Sequence, residues 1–132
     1  MPLKLTLKPD EKVLIGTAVI SNAGQKAEIV IQNTVPVVRE KDIITEEKAD
    51  TIAKKIYFMV LNMYVDTKNE REYHNIYFKL VDELFKDSSS PEIMAYIMET
   101  SQKILEGDHY QALKICKKLL NYEAELLTNV TE

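Results

Sequence analysis

The sequence predicts an α+β fold: a small N-terminal antiparallel β-sheet or partial barrel, followed by a C-terminal bundle of about four helices. Apolar residues recur with a period of two through residues 1–44 and with the helical period of 3.6 from residue 45 onward. Turn chemistry changes with the period, from closely spaced Gly, Pro and Asn breaks to isolated helix caps. The chain has 132 residues, 45% of them hydrophobic, enough to bury one modest core but not two ordinary domains. The expected organisation is therefore one compact unit with two parts, residues 1–44 and residues 45–132.

In the first part, Leu3, Leu5 and Leu7 alternate with Lys4, Thr6 and Lys8, placing the leucines on one face of a strand. Pro9-Asp10 ends that run. Val13-Leu14-Ile15 stops at Gly16, and Ala18-Val19-Ile20 stops at Ser21-Asn22-Ala23-Gly24, a turn-favouring cluster. Ala27–Ile31 and Val35–Arg39 complete four or five strands. So small a sheet needs its edges covered by the helical part, by a second chain, or by both.

The first helix is expected from Thr45 as N-cap, with Ala49, Ile52, Ala53, Ile56, Tyr57, Val60 and Met63 inward. A second is expected from about Lys68 to Lys86, burying Tyr73, Ile76, Tyr77, Leu80, Val81 and Leu84. Ser88-Ser89-Ser90-Pro91 reads as a loop, with Ser90 capping a third helix that has Pro91 at its first position. Ile93, Ile97, Ile104 and Leu105 continue it and Gly107 ends it. Asp108 and Gln111 form a capping box for the fourth, whose stripe is Leu113, Cys116, Leu119, Leu120 and Leu127.

Several function classes fall away. No apolar run approaches the ~18 residues of a membrane span, and the start, Met1-Pro2-Leu3-Lys4, is not that of a secretory signal. A cytoplasmic protein without membrane association is expected. The lone Cys116 sits where a small hydrophobe belongs. His74 and His109 each lack a second His or Cys at ligand spacing and read as surface or capping residues, so no metal is expected. Gly16, Gly24 and Gly107 stand far apart at turns, not in a phosphate-binding loop. Glu46-Glu47 and Glu70-Arg71-Glu72 read as solvated helix faces, and the helical aromatics as core or subunit contacts. Neither catalysis nor a cofactor is expected.

The net charge of −4 opposes indiscriminate nucleic-acid binding. It is unevenly distributed, with six basic against five acidic residues in positions 1–44 and eleven against sixteen afterwards. A strand presenting Lys4, Thr6 and Lys8, with the Arg39 fork nearby, has the donors to hold phosphates and base edges. The same alternation also suits an ordinary solvated strand face.

Leu3-Lys4-Leu5-Thr6-Leu7-Lys8-Pro9, Val37-Val38-Arg39-Glu40-Lys41-Asp42-Ile43, Lys55-Ile56-Tyr57-Phe58 through Met63-Tyr64, and Gly107–Lys114 followed by Leu119, Leu120, Tyr122 and Glu123 resemble, in order, the FlbT family. That resemblance implies a bacterial regulator acting at the 5′ untranslated region of flagellin mRNA, as a repressor that promotes its decay. The N-terminal third alone is similar to the carbon storage regulator CsrA, through Leu3-Lys4-Leu5-Thr6, Glu11, Ile15-Gly16 and Asn33–Glu40. That second resemblance implies an RNA-gripping homodimer in which the first strand of one chain lies beside the last of the other. It nominates Lys4, Thr6, Lys8, Val38 and Arg39 as RNA-binding residues. Leu7 and Val38 depart from it, replacing a basic residue and a histidine. The rival reading is an adaptor whose acidic helical part binds flagellin, FlaF or an export component.

Overall fold

The computed structural model describes residues 2–87 and 90–131, with side chains as far as Thr128. The expected Ser88-Ser89 loop lies outside the described residues. The chain divides into two compact units, one ending at Ile43 and one beginning at Ile44.

The first unit has five strands: β1 (Leu3–Leu7), β2 (Lys12–Ile15), β3 (Ala18–Ser21), β4 (Ala27–Ile31) and β5 (Val37–Arg39). Among the described residues all pairings are antiparallel and make two small sheets, with no closed barrel. β1 pairs with β4, setting Leu3 opposite Ile31 and Leu7 opposite Ala27. β2 is the centre of the order β3-β2-β5, with Ile15 opposite both Ala18 and Val37. Gly16 takes φ +60° in the two-residue turn between β2 and β3, the left-handed region a side chain would strain.

Leu5, Leu7 and Val13 are buried, and Ile15, Ile29, Ile31 and Val37 pack against them, so both sheets contribute to one core. Each fully buried Leu or Val contributes about 1.5–3 kcal/mol relative to exposure. Leu3, at the open end of the pattern, is 44% exposed instead of joining them.

Asn22 does more than occupy a turn. Its Nδ2 donates to the carbonyls of Leu7, Lys8 and Gln25 at 3.1, 3.1 and 2.9 Å, and its Oδ1 accepts from the Gly24 amide at 3.1 Å. One amide group thereby ties the turn after β1 to the turn after β3, because Asn carries both donors and acceptors on a short stem.

The second unit holds α1 (Ile52–Val65), α2 (Glu70–Asp87), α3 (Pro91–Leu105) and α4 (His109–Thr131). The first helix begins later than Thr45 suggests. Residues 45–49 make an isolated turn in which the Thr45 carbonyl accepts from Lys48 and Ala49. Thr51 is the true N-cap: its hydroxyl oxygen accepts from the Lys54 amide at 3.1 Å and its hydroxyl donates to Glu123 on α4 at 2.9 Å. The tertiary contact selects between two threonines that are equivalent by propensity.

Ser90 caps α3, and the Asp108 carboxylate accepts from the Gln111 amide at 3.1 Å at the start of α4. Gly107, at φ +82°, takes the left-handed conformation that ends α3. α1 packs on α2 and α4, and α3 packs on α4. α2 and α3 meet through longer side chains, with the Tyr77 and Ser101 hydroxyls 2.8 Å apart. Ile56, Tyr57, Val60, Met63, Tyr77, Ile97, Cys116 and Leu119 fill the centre. Ile76, Leu105 and Leu127, expected inward, lie exposed because they fall beyond the stripe that meets a neighbour.

Candidate nucleic-acid interface

The five residues nominated from the sequence all lie in the first unit, but the structure does not make one surface of them. Lys4 projects from β1 and pairs at 3.3 Å with Glu28 across the sheet, both largely exposed. Val38 is 3% exposed, so a ligand could meet its backbone but not its side chain. The period-two pattern of β5 signals that burial, because Val38 lies opposite the buried Leu14.

Arg39, Thr6 and Lys8 do converge. Arg39 Nη2 donates to the Thr6 carbonyl at 2.9 Å and lies 3.5 Å from Glu11 Oε2. Glu11 also accepts from the Lys8 amide through Oε1 at 2.8 Å. That amide bond, with a further contribution from Arg39, holds the Glu11 carboxyl below the usual carboxylate range. The Arg39 side chain is 42% exposed while its Nη2 braces β1 against the end of β5.

Beside it lies an open groove of about 440 Å³ lined by Lys8, Pro9, Asp10, Glu11, Arg39, Glu40 and Lys41. Three cations and three carboxylates share this lining. The acids have structural work of their own: Glu40 Oε1 accepts from the Lys12 amide at 3.2 Å, and Glu11 closes the turn after β1. The groove is thus a mixed-charge surface with an oriented arginine, not a broad cationic patch. Such a lining suits a ligand read by hydrogen bonds as well as charge. Sequence reasoning missed Lys41 and the roles of Glu11, Glu28 and Glu40; the Lys8-to-Glu11 spacing across Pro9-Asp10 was the available signal.

In the second unit, His74 and His109 are not separate surface residues. The fold sets both beside Glu70. Cys116 is buried among apolar side chains, which pushes its thiol pKa well above the ordinary value and leaves it protonated. No described helix is long and apolar enough to cross a membrane.

A strand unit carrying a mixed-charge groove, followed by a four-helix unit, is the class of α+β protein that this architecture defines. The profile of the family described as Flagellar protein FlbT matches residues 3–127. The chain belongs to the FlbT family. It is 38% identical over 132 residues to a probable flagellum biosynthesis repressor protein FlbT of Caulobacter sp. strain K31, covering 99% of this chain and all of that one. It is 39% identical to a probable repressor of the same name from Bradyrhizobium diazoefficiens, over 96% of this chain and 85% of the relative. A further relative, the flagellum biosynthesis repressor protein FlbT of Caulobacter vibrioides, is 34% identical over 99% of this chain and 93% of its own. No solved structure matches the chain.

Proposed function

We propose that this protein is a cytoplasmic, non-enzymatic repressor of flagellum biogenesis that binds the 5′ untranslated region of flagellin mRNA and lowers its translation or lifetime. Family membership supports the flagellar and repressive part of the reading. The RNA part is carried by one observation: Arg39 is oriented by the Thr6 carbonyl and Glu11, its side chain 42% exposed, and it lines a groove together with Lys8 and Lys41. A planar fork already held in place loses little entropy on pairing with a phosphate or stacking on a base. Lys4, paired with Glu28, and Thr6 lie farther along β1, outside the groove lining. Two-stranded and three-stranded sheets are too small to leave edges bare, so the protein acts as a homodimer.

The test is titration of the full chain into the labelled leader of its own flagellin mRNA at two salt concentrations, with a scrambled leader as control. Direct recognition gives selective binding that weakens by about fivefold for each twofold rise in salt if three to four phosphates of a single strand are contacted. Absence of binding at micromolar protein rejects the RNA reading.

One feature favours the adaptor as second reading. Met94, Met98 and Leu105 on α3 are 39%, 67% and 75% exposed and lie within roughly 40° of one another around the helix. An apolar stripe of this kind fits a partner protein such as flagellin or FlaF, with affinity insensitive to salt.

A further inference from the structure

We propose that Glu70, His74 and His109 form a binding site for a divalent transition-metal ion, zinc being the one the donor set fits best. Glu70 opens α2 and His74 follows one turn later, so both side chains leave the same face of that helix. His109 opens α4, and the fold carries its imidazole to the same place. Glu70 Oε1 lies 3.0 Å from His109 Nε2 and 3.5 Å from His74 Nε2, and the three donor atoms fall within 4.8 Å of one another.

Those distances would also suit two histidine–carboxylate ion pairs. The orientation of the rings decides between the two. Both Nε2 atoms are shielded from solvent, and neither makes a hydrogen bond. An N–H aimed at a carboxylate oxygen from 3.0 Å would make a good one, so the rings are not turned for that purpose. Two buried nitrogens without hydrogen bonds, on separate helices and beside one carboxylate, form an expensive arrangement for a protein to keep. A cation accepting all three lone pairs relieves it. Zinc–ligand distances of ~2.0–2.1 Å imply edges of about 3.3 Å between ligands of a tetrahedron, and the two N···O separations bracket that length.

The choice of ion follows from the ligands. Two imidazole nitrogens and one carboxylate oxygen suit zinc, whereas magnesium and calcium require oxygen ligands. The positive ends of the α2 and α4 dipoles oppose a cation here, and the negative charge of Glu70 offsets them. Three protein ligands would leave a fourth position for water or another small ligand, and the Glu70 side chain is 40% exposed. The turn ahead of α2 is fixed by Asp66, whose Oδ2 accepts from Tyr73 at 2.7 Å and Asn69 at 2.9 Å. Bound metal would tether the first turns of α2 and α4 to each other. The site lies wholly in the helical unit and is independent of the RNA reading.

Tag-free full-length protein, stripped with chelator, is titrated with zinc by calorimetry. One equivalent binds with a Kd below about 1 µM, and millimolar magnesium does not compete. His74→Ala and His109→Ala each weaken binding by at least ~100-fold and Glu70→Gln by about tenfold, with circular dichroism confirming that the variants fold. In the unmutated chain, two-bond ¹H–¹⁵N spectra show the Nε2 resonances of both His74 and His109 moving together on addition of one equivalent. Binding weaker than ~100 µM, binding indifferent to loss of either histidine, or Nε2 resonances that stay in place would overturn the proposal.

Discussion

Arg39 serves the fold and the candidate interface at once. Its bond to the Thr6 carbonyl spans the gap between β1 and β5, and its partner Glu11 closes the turn that follows β1. Arg39→Ala is therefore expected to cost stability, about 1 kcal/mol in urea unfolding, in addition to weakening leader binding. Without these contacts a strand-end residue would be expected to matter little to stability. Arg39→Lys separates the roles: it keeps the charge and most of the salt dependence but loses the fork. Glu11 adds a pH signature. Its carboxyl is held low by the Lys8 amide first and Arg39 second, so its contribution is complete above the ordinary carboxylate pKa and is lost as pH falls through the depressed value. Glu11→Gln should flatten the decline in melting temperature between roughly pH 5 and 2, and an unchanged acid limb would show that the carboxylate contributes nothing.

At the scale of elements, local chemistry fixes most boundaries and tertiary contact settles those that local chemistry leaves open. The Ser90, Gly107 and Asp108 signals mark the helix ends that the sequence assigns to them, because caps satisfy backbone groups within a few residues of themselves. The start of α1 is different. Thr45 and Thr51 both precede apolar-periodic sequence, but only Thr51 also reaches Glu123. Thr51→Ala is expected to destabilise the helical unit by about 1 kcal/mol in thermal melts, whereas Thr45→Ala should fall within ~0.5 kcal/mol of the parent. Equal effects would return the helix start to Thr45. Strand alternation was similarly legible in Leu5 and Leu7, while the assignment of β1 to β4 and of β5 to β2 was not, since pairing depends on residues far apart in sequence.

For the whole molecule, the consequential feature is the small size of each sheet. Two strands in one and three in the other leave edges that a single chain pairs only in part. A dimer is expected in analytical ultracentrifugation at micromolar concentration, and a monomer there would remove the second chain from the proposed RNA surface. The net charge of −4 makes nonspecific polyanion binding weak, so a leader complex should show sequence selectivity that survives competitor RNA.

The sequence alone determined the change from strands to helices near residue 44, the caps at Ser90, Gly107 and Asp108, and most of the buried stripe. Each of these follows from chemistry repeated or completed within a few residues. Only the tertiary structure decided that Arg39 bonds Thr6, that Asn22 reaches back to the turn after β1 and that His109 meets Glu70. These partners lie far apart along the chain, and no periodicity encodes which distant residue a folded backbone will bring into contact with another.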